Sequence, residues 1–270
     1  MEHDFHALAA MSAERISALR DAFGMLADVE LVQETGSTNA DLMARIHSLQ
    51  RPLLLIALHQ TAGRGRAGRS WHSVPGGMLT FSLAWPFAQG AQALMGLPLA
   101  IGVALAEVLQ RLDLPVQLKW PNDILRDGKK LAGVLIESAS AADGTLWVVA
   151  GVGLNLQVPA ALEASIGREV ADAPWLARMD RNLLMAHLLN GLTCALDQFG
   201  RDGFSPFLPR WNALHAYAGQ PVQILEGSQI LQRGIALGVD CHGCLVLQTD
   251  SGQATIFAGD VSLRPVTDSN

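Results

Sequence analysis

Arginine and glycine alternate in one short run, HQTAGRGRAGRSW at residues 59–71. The glycines leave little side-chain bulk, so backbone N–H groups in this run can approach a ligand closely. The arginines supply forked donors that suit a carboxylate or a phosphate. We therefore expect a loop that folds over an anionic ligand, with a solvated basic turn or an RGG-like nucleic-acid contact as the alternatives. The residues concerned are Gly63, Arg64, Gly65, Arg66, Gly68 and Arg69.

A second polar stretch, KWPNDIL at residues 119–125, lies at the end of a predicted strand. It places Lys119 and Asp123 on either side of a position where an incoming amine could be held. The alternative is ordinary turn chemistry, in which Asn122 and Asp123 bond their own backbone after a proline.

Two further motifs contain glycines inside predicted strands. KKLAGVLIE, at residues 129–137, offers Lys130 at a hairpin mouth and Gly133 within the strand, where a glycine often marks close approach by a ligand or another backbone. GVGLNL, at residues 151–156, ends a strand with two glycines and Asn155. It opens no helix and is not GxGxxG, and GxxxxGK[ST] is absent, so neither a Rossmann nor a P-loop site is indicated.

The cysteines and histidines form no recognisable metal motif. CHGC at residues 241–244 has CxxC spacing, but the chain has three cysteines in all and no second pair. Because a zinc site needs about four ligands, we expect two ordinary cysteines there and no metal site built from side chains. HExxH and the GxSxG elbow of serine hydrolases are also absent from the sequence.

Composition limits the class of protein. The chain has 270 residues, of which 50% are hydrophobic and 16% charged, which is typical of a compact globular protein. Its net charge of -6 argues against a general nucleic-acid binder. The early acidic residues are unlike a secretory signal, and no apolar stretch is long enough to span a bilayer. We expect a soluble protein of a reducing cytoplasm, without a membrane segment.

Periodicity predicts the elements that must position these motifs. A helix begins at Ser37 or Thr38, either of which could cap it. Asp-Gly steps at 127–128 and 143–144 predict hairpin turns between strands. Further helices are expected at 11–23, 93–112, 181–199 and 204–214. Strands are expected at 52–60, 78–85, 116–120, 130–138 and 145–156.

The pattern changes after Gly219 to short strands separated by turns, at 220–227, 230–240, 244–252 and 253–265. The sequence therefore predicts an α+β fold, in which a mixed, mostly antiparallel sheet is backed by helices and a small β-barrel follows. We expect one domain at 1–218 and a small β domain at 219–270. Residues 1–28 are an N-terminal extension with one short helix.

In order, GSTN, HQTAGRGRAGRSW, KWPNDIL, KKLAGVLIE and GVGLNL resemble the motifs of the biotin protein ligases. The resemblance runs from about Ser37 to Arg264. It implies a catalytic domain like those of class II synthetases and biotin/lipoate ligases, with an SH3-like C-terminal barrel. The implied reaction uses ATP and Mg²⁺ to convert biotin to biotinyl-5′-AMP and pyrophosphate. Biotin then passes to a lysine of a biotin carboxyl carrier protein of acetyl-CoA carboxylase.

The resemblance also implies roles for individual residues. The biotin-binding set is Ser37, Thr38, Asn39, Gln60, Gly63, Arg64, Arg66, Lys130 and Gly133. The ATP and adenylate set is Arg64, Arg66, Arg69, Trp71, Asn122, Lys130 and Asn155. The catalytic set is Arg66, Lys130, Asp123 and Lys119. Trp71 matches the ring on which adenine stacks, and a core tryptophan is its alternative. Asp123 matches the carboxylate that orients the acceptor lysine.

Several readings compete with this one. A lipoate or octanoate transferase shares the fold, whereas a non-catalytic biotin sensor or a nucleic-acid-binding module belongs to another class. The 36 residues before Ser37 are too few for a winged DNA-binding domain, so we expect a monofunctional ligase that binds no DNA. Edge strands of the central sheet could support a homodimer.

Overall fold

The computed structural model describes residues 11–20, 26–88, 90, 94–166 and 170–266. Its helices are α1 (Ala13–Leu19), α2 (Thr38–Arg45), α3 (Leu97–Arg111), α4 (Ala160–Ile166), α5 (Pro174–Ala177), α6 (Arg181–Asp202) and α7 (Leu208–Ala213). The first seven strands are β1 (Asp28–Thr35), β2 (Leu53–Gln60), β3 (Met78–Phe87), β4 (Gln117–Lys119), β5 (Asp123–Arg126), β6 (Lys129–Ser140) and β7 (Leu146–Asn155). The last five are β8 (Pro221–Glu226), β9 (Gln229–Val239), β10 (Leu245–Thr249), β11 (Gly252–Ile256) and β12 (Val261–Pro265).

The first seven strands form one sheet in the order β1-β2-β3-β7-β6-β5-β4. β1 runs parallel to β2, and each of the other neighbouring pairs is antiparallel. This confirms the predicted mixed, mostly antiparallel sheet. Two strands were not predicted. β1 is exposed or half-buried along its length, and β5 has four residues, so neither shows a clear apolar period.

Both Asp-Gly steps form the predicted turns. Asp127 and Gly128 join β5 to β6 with φ values of 50° and 75°, and two successive positive φ angles match the twist of a two-residue hairpin. Gly144 has φ 86° in the turn between β6 and β7, where the Asp143 carboxylate accepts from the backbone N–H of Thr145. These hairpins fix the register in which β6 lies between β5 and β7.

Helices cover the two faces of this sheet unequally. α3 and α6 pack against each other on one face, where they bury the larger apolar cluster. α2 lies on the other face, with Leu42 and Ile46 packed on Leu53 and Val149. The first helix is shorter than the predicted span 11–23. α1 ends at Leu19 because Arg20 adopts an extended conformation, and residues 21–25 lie outside the described part of the chain.

The last five strands form an antiparallel sheet in the order β11-β10-β9-β8-β12. The run predicted as one strand at 253–265 is two strands, β11 and β12, which lie on opposite edges of the sheet. The turn between them contains Gly259 and Asp260, and it approaches the large sheet. Buried residues of this small sheet, such as Ile224 and Leu247, belong to the same apolar cluster as α3 and α6. The domain boundary at 218 stays a prediction.

In the part of the chain that the structure describes, no helix has both the length and the apolar character needed to cross a membrane.

His215 gives the fold a predictable pH dependence. Its ring is 5% exposed and stacks on Trp211 at 4.7 Å between centroids, and no partner within the described residues bonds either ring nitrogen. Burial lowers the pKa of His215 from 6.5 to about 4. Because the unfolded chain then binds the extra proton, the free energy of unfolding is unaffected above pH 6.5 and decreases as the pH falls towards 4.

When the pH is lowered from 7 to 4.5, we predict that the free energy of unfolding falls less in His215→Phe than in the unaltered protein. The difference should be roughly 2 to 3 kcal/mol. Urea unfolding of both proteins at the two pH values measures this difference. The other histidines are common to both proteins, so the comparison isolates position 215. Equal losses of stability in the two proteins would contradict the prediction.

Candidate active site

A cleft opens between the N-terminus of α2, strands β6 and β7, and the loop at 61–71. Its lining includes eight of the nine residues of the predicted biotin-binding set: Ser37, Thr38, Asn39, Gln60, Arg64, Arg66, Lys130 and Gly133. It also includes Trp71 and Asn122 of the adenylate set, and Gly151 and Gly153 of β7. The structure thus brings together residues from all five sequence motifs. Gly63, Arg69, Lys119, Asp123 and Asn155 do not line this cleft.

Glycines on the strands make room for the cleft. A Cβ atom at Gly151 would lie 2.1 Å from the Asn39 side-chain oxygen, and one at Gly153 would lie 2.2 Å from the Trp71 ring. A Cβ atom at Gly133 would lie 2.8 Å from the Lys130 ammonium group. Real Cβ contacts are never this short, so the site residues occupy space that a side chain on β6 or β7 would fill.

One end of the cleft consists of neutral hydrogen-bonding groups. Ser37 is the N-cap of α2, with its hydroxyl accepting from the Ala40 backbone N–H at 3.4 Å. The helix therefore begins where Thr38 and its backbone N–H face Gln60. Gln60 Oε1 accepts from the Thr38 N–H at 2.8 Å and from the Thr38 hydroxyl at 3.0 Å.

The polar contacts continue from Thr38 to Ser82, Asn39 and Glu137. The sequence did not predict Ser82 or Glu137 as site residues. The Ser82 hydroxyl lies 2.6 Å from the Thr38 hydroxyl and donates to Asn39 Oδ1 at 2.6 Å. Asn39 Nδ2 donates to Glu137 Oε2 at 2.8 Å. Ser82 is fully buried in β3. A polar residue within the apolar run MLTFSLAW was the available signal for it.

The arginine-glycine run forms a loop closed on itself by backbone hydrogen bonds. Gly65 donates to the Arg69 carbonyl at 2.7 Å, and Trp71 donates to the Gly63 carbonyl at 2.8 Å. Gly68 has φ 68° at the tip of the loop, a conformation that favours glycine. Arg64 and Arg66 face the cleft, whereas Arg69 is exposed.

Arg66 links the loop to the large sheet and to the C-terminal sheet. Its Nη1 donates to Asn122 Oδ1 at 3.1 Å, and its Nη2 donates to the Gly259 carbonyl in the turn between β11 and β12. Burial lowers the pKa of Arg66, and the charge of Asp123 opposes that effect. Because the ordinary pKa of arginine lies far above neutral pH, this guanidinium stays charged at neutral pH.

Asp123 lies between two lysines on neighbouring strands. Its Oδ1 is 2.5 Å from Lys130 Nζ and its Oδ2 is 3.6 Å from Lys119 Nζ. The three side chains are between 15% and 22% exposed, so the charges interact where water screens them weakly. Lys130 Nζ also lies 5.7 Å from the centroid of the Trp71 ring. The site therefore has a cationic end beside an aromatic face.

Two asparagines fix the strands around this cationic end. Asn122 Nδ2 donates to the Val134 carbonyl at 2.7 Å, which joins the turn after β4 to β6. Asn155 Nδ2 donates to the carbonyls of Ala171 at 3.0 Å and Lys130 at 3.3 Å. The buried atoms Asn155 Oδ1 and Trp71 Nε1 accept or donate no hydrogen bond within the described residues.

The arrangement suits a ligand that is neutral and polar at one end and anionic at the other. The hydroxyls and amides of Ser37, Thr38 and Gln60 can pair with donors and acceptors of a neutral head group. Arg66 and Lys130 form a separate cationic part of the lining, where they can offset the charge of a carboxylate or phosphate. The Asp123 carboxylate pairs with Lys130 beside this cationic part.

The chain is similar to known proteins over most of its length. Residues 30–155 match the biotin/lipoate A/B protein ligase family, and residues 217–264 match the biotin protein ligase C-terminal domain. The bifunctional ligase/repressor BirA of Salmonella typhimurium is 35% identical, over 94% of this chain and 78% of that protein. The biotin--[acetyl-CoA-carboxylase] ligase of Mycobacterium tuberculosis is 36% identical, over 86% of this chain and 88% of its own length.

The chain is also similar in fold to solved structures. The biotin protein ligase from Aquifex aeolicus, in complex with biotin and ATP, superimposes with a TM-score of 0.73 at 28% identity. The match covers 88% of this chain and 99% of that one.

Proposed function

Because the chain belongs to the biotin/lipoate A/B protein ligase family and is an enzyme of the ligase type, we propose that it joins biotin to a protein lysine in two steps. In the first step biotin and ATP form biotinyl-5′-AMP and pyrophosphate. In the second step the biotinyl group passes to a lysine of a biotin carboxyl carrier protein, a subunit of acetyl-CoA carboxylase. The relatives named for that carboxylase support this acceptor.

One observation supports the proposal above the others: the cleft has a neutral polar end and a cationic end. Biotin is built in the same way, with a neutral ureido ring at one end and a carboxylate at the other. Ser37, Thr38 and Gln60 would pair with the ureido ring. The carboxylate would then lie towards Arg66 and Lys130, where the α-phosphate of ATP must also arrive.

In the first step two anions must meet. A biotin carboxylate oxygen attacks the α-phosphorus, a new P–O bond forms, and the bond to pyrophosphate breaks. The reacting groups repel each other unless fixed positive charge lies between them. Arg64, Arg66 and Lys130 line the cleft and provide that charge. Trp71, which packs on Gly153 beside Lys130, would stack on the adenine ring.

In the second step an acceptor amine attacks the activated carbonyl. A C–N bond forms, the bond from the carbonyl carbon to the AMP oxygen breaks, and the amine loses a proton. Asp123 would hold the incoming amine and receive that proton. Lys119 and Lys130 flank its two carboxylate oxygens, so they orient Asp123.

Magnesium fits this site as a partner of ATP and not as a resident metal. Among the residues that the structure describes, no three His, Cys, Asp or Glu side chains are grouped so that they could hold a metal ion. Asp123 is already paired with lysines. Mg²⁺ is commonly bound through substrate phosphates, and there it would supply further positive charge.

The loop at 61–71 should protect the adenylate from water. Ordering about ten residues costs on the order of 10 kcal/mol in backbone entropy, so we expect the loop to be mobile without ligands and ordered with them. Trypsin cleavage after Arg64, Arg66 or Arg69 should therefore slow when biotin and ATP are added. Identification of the cleaved bonds by mass spectrometry measures this, and equal cleavage rates would contradict the expectation.

Replacing Arg66 by glycine should weaken retention of the adenylate. The change removes the bonds to Asn122 and to the Gly259 carbonyl, which connect the loop with the turn after β11. Charge-assisted hydrogen bonds of this kind are worth about 1.5 to 3 kcal/mol, so we expect release of biotinyl-AMP to be roughly tenfold faster. Rapid filtration of the labelled complex measures release. Arg69→Gly, in the same loop but exposed, is the control.

Biotin-dependent pyrophosphate release is the experiment that tests the proposed first step. Parallel reactions would contain biotin, lipoate or octanoate with ATP and Mg²⁺, and the products would be separated to detect an acyl adenylate. The proposal predicts biotinyl-AMP and pyrophosphate in equal amounts, with biotin alone. Adenylate formation from lipoate or octanoate instead of biotin would contradict it.

A further inference from the structure

Glu137 connects the neutral end of the cleft to the arginine-glycine loop through a single oxygen atom. It lies on β6, on the same face as Gly133 and Leu135, both of which line the cleft. Its Oε2 accepts from Asn39 Nδ2 at 2.8 Å and from Arg64 Nη2 at 3.1 Å. Asn39 is 3% exposed and belongs to the neutral end, whereas Arg64 belongs to the loop.

A carboxylate can only accept hydrogen bonds. Glu137 therefore sets the direction of the bonds that run from Asn39 to Ser82 and Thr38. Because Glu137 cannot donate, Asn39 must turn its Nδ2 towards Glu137 and its Oδ1 towards Ser82. The Ser82 hydroxyl proton is then used on Asn39 Oδ1 at 2.6 Å. The Thr38 hydroxyl proton is therefore shared between the Ser82 oxygen at 2.6 Å and Gln60 Oε1 at 3.0 Å.

This direction decides what Thr38 can offer a ligand. With its only proton shared between Ser82 and Gln60, the Thr38 hydroxyl presents lone pairs to the cleft and acts as an acceptor. A ureido ring has N–H donors that match such an acceptor. Reversal of the chain would make Ser82 donate to Thr38, which occupies one of the lone pairs that the Thr38 hydroxyl otherwise offers to such an N–H group.

We propose that Glu137 is a positioning residue that couples recognition of the neutral head group to the position of Arg64 in the loop. The inference rests on the proposed function, because it takes biotin as the ligand. Glu137 itself is not among the residues that line the cleft. Through Asn39 and Ser82 it sets how many lone pairs the Thr38 hydroxyl offers to the cleft, and it holds the Arg64 guanidinium over the cleft.

Glu137→Gln tests the inference because the amide keeps the size of the side chain and removes its charge. Glutamine can accept from Asn39 or donate to it, so the direction of the chain is no longer fixed. We expect the dissociation constant for biotin, measured by calorimetry, to rise about tenfold. The matched control is Glu107→Gln, since Glu107 pairs with Arg210 at 2.6 Å with similar exposure but lies outside the cleft.

A double-mutant cycle distinguishes coupling from a merely structural role. Asn39→Ala and Arg64→Ala alter side chains that meet at Glu137, so their effects on biotin affinity should be non-additive by about threefold or more. The same cycle repeated in Glu137→Gln should become additive. Circular dichroism checks folding, and if the glutamine variant is unfolded, Glu137→Asp replaces it, because the shorter carboxylate cannot reach both partners.

The possible outcomes are distinct. Weaker biotin binding in the Glu137 variant, together with loss of coupling between positions 39 and 64, supports the inference. Unchanged affinity in the Glu137 variant, or coupling that persists without the Glu137 carboxylate, overturns it while leaving the ligase function intact. Absence of biotin binding in the unaltered chain would instead overturn the proposed function.

Discussion

Replacing Lys130 by methionine is expected to lower the rate of adenylate formation about 10²- to 10³-fold, as removal of a single group that stabilises transition-state charge does in other enzymes. Lys130 Nζ projects into the cleft beside Trp71 and is held there by Asp123 at 2.5 Å. Methionine preserves much of the length and packing of the side chain but cannot offset the charge of two anions. Biotin-dependent pyrophosphate release under single-turnover conditions measures the effect.

Lys129→Met is the matched control for this prediction. Lys129 precedes Lys130 on β6 and is exposed, and it does not line the cleft. We expect its pyrophosphate release to stay within about twofold of the unaltered protein, since surface substitutions usually have small effects. Equal rates for the Lys130 variant and this control would show that the Lys130 charge is not needed for the first step.

Asp123→Asn is expected to separate the two steps. The carboxylate is needed to hold the acceptor ammonium group and to take its proton, so transfer from preformed biotinyl-AMP should slow about 10²-fold or more. Adenylate formation should change less, because Lys130 and Arg66 remain at the cationic end. A chase of the enzyme-bound adenylate with a carrier domain measures transfer without the first step.

Asp127→Asn provides the control for this second prediction. Asp127 is in the same hairpin, its side chain is 83% exposed, and asparagine tolerates its φ of 50°. Its transfer rate should match that of the unaltered protein. If Asp123→Asn instead slowed both steps equally, the role of Asp123 would be to position Lys130 and not to bind the acceptor amine.

The fold was predictable where one physical pattern dominates. β2, β3 and β7 are continuous apolar runs, α3 and α6 have strong helical periods, and the Asp-Gly turns follow from backbone conformation alone. β5 was missed because its four residues are stabilised by pairing with β4 and β6 and not by their own pattern. That pairing depends on contacts that are distant in sequence.

The site was predictable through its motifs but not through its connections. The resemblance supplied Ser37, Gln60 and Lys130, and the structure places them around one cleft. Ser82 and Glu137 were not predicted, since a residue in mid-strand faces the cleft only if the register of the sheet puts it there. Packing between separate motifs determines the hydrogen-bonded chain, and no single motif contains it.

Intact-mass analysis of a biotin carboxyl carrier domain tests the central claim most directly. The domain would be incubated with the protein, biotin, ATP and Mg²⁺, with parallel reactions that lack ATP or contain lipoate or octanoate. The proposed function predicts one biotinyl addition, on one lysine, that requires ATP and occurs with biotin alone. An unmodified carrier domain, in a reaction where the protein binds biotin tightly, would contradict a ligase and favour a biotin sensor.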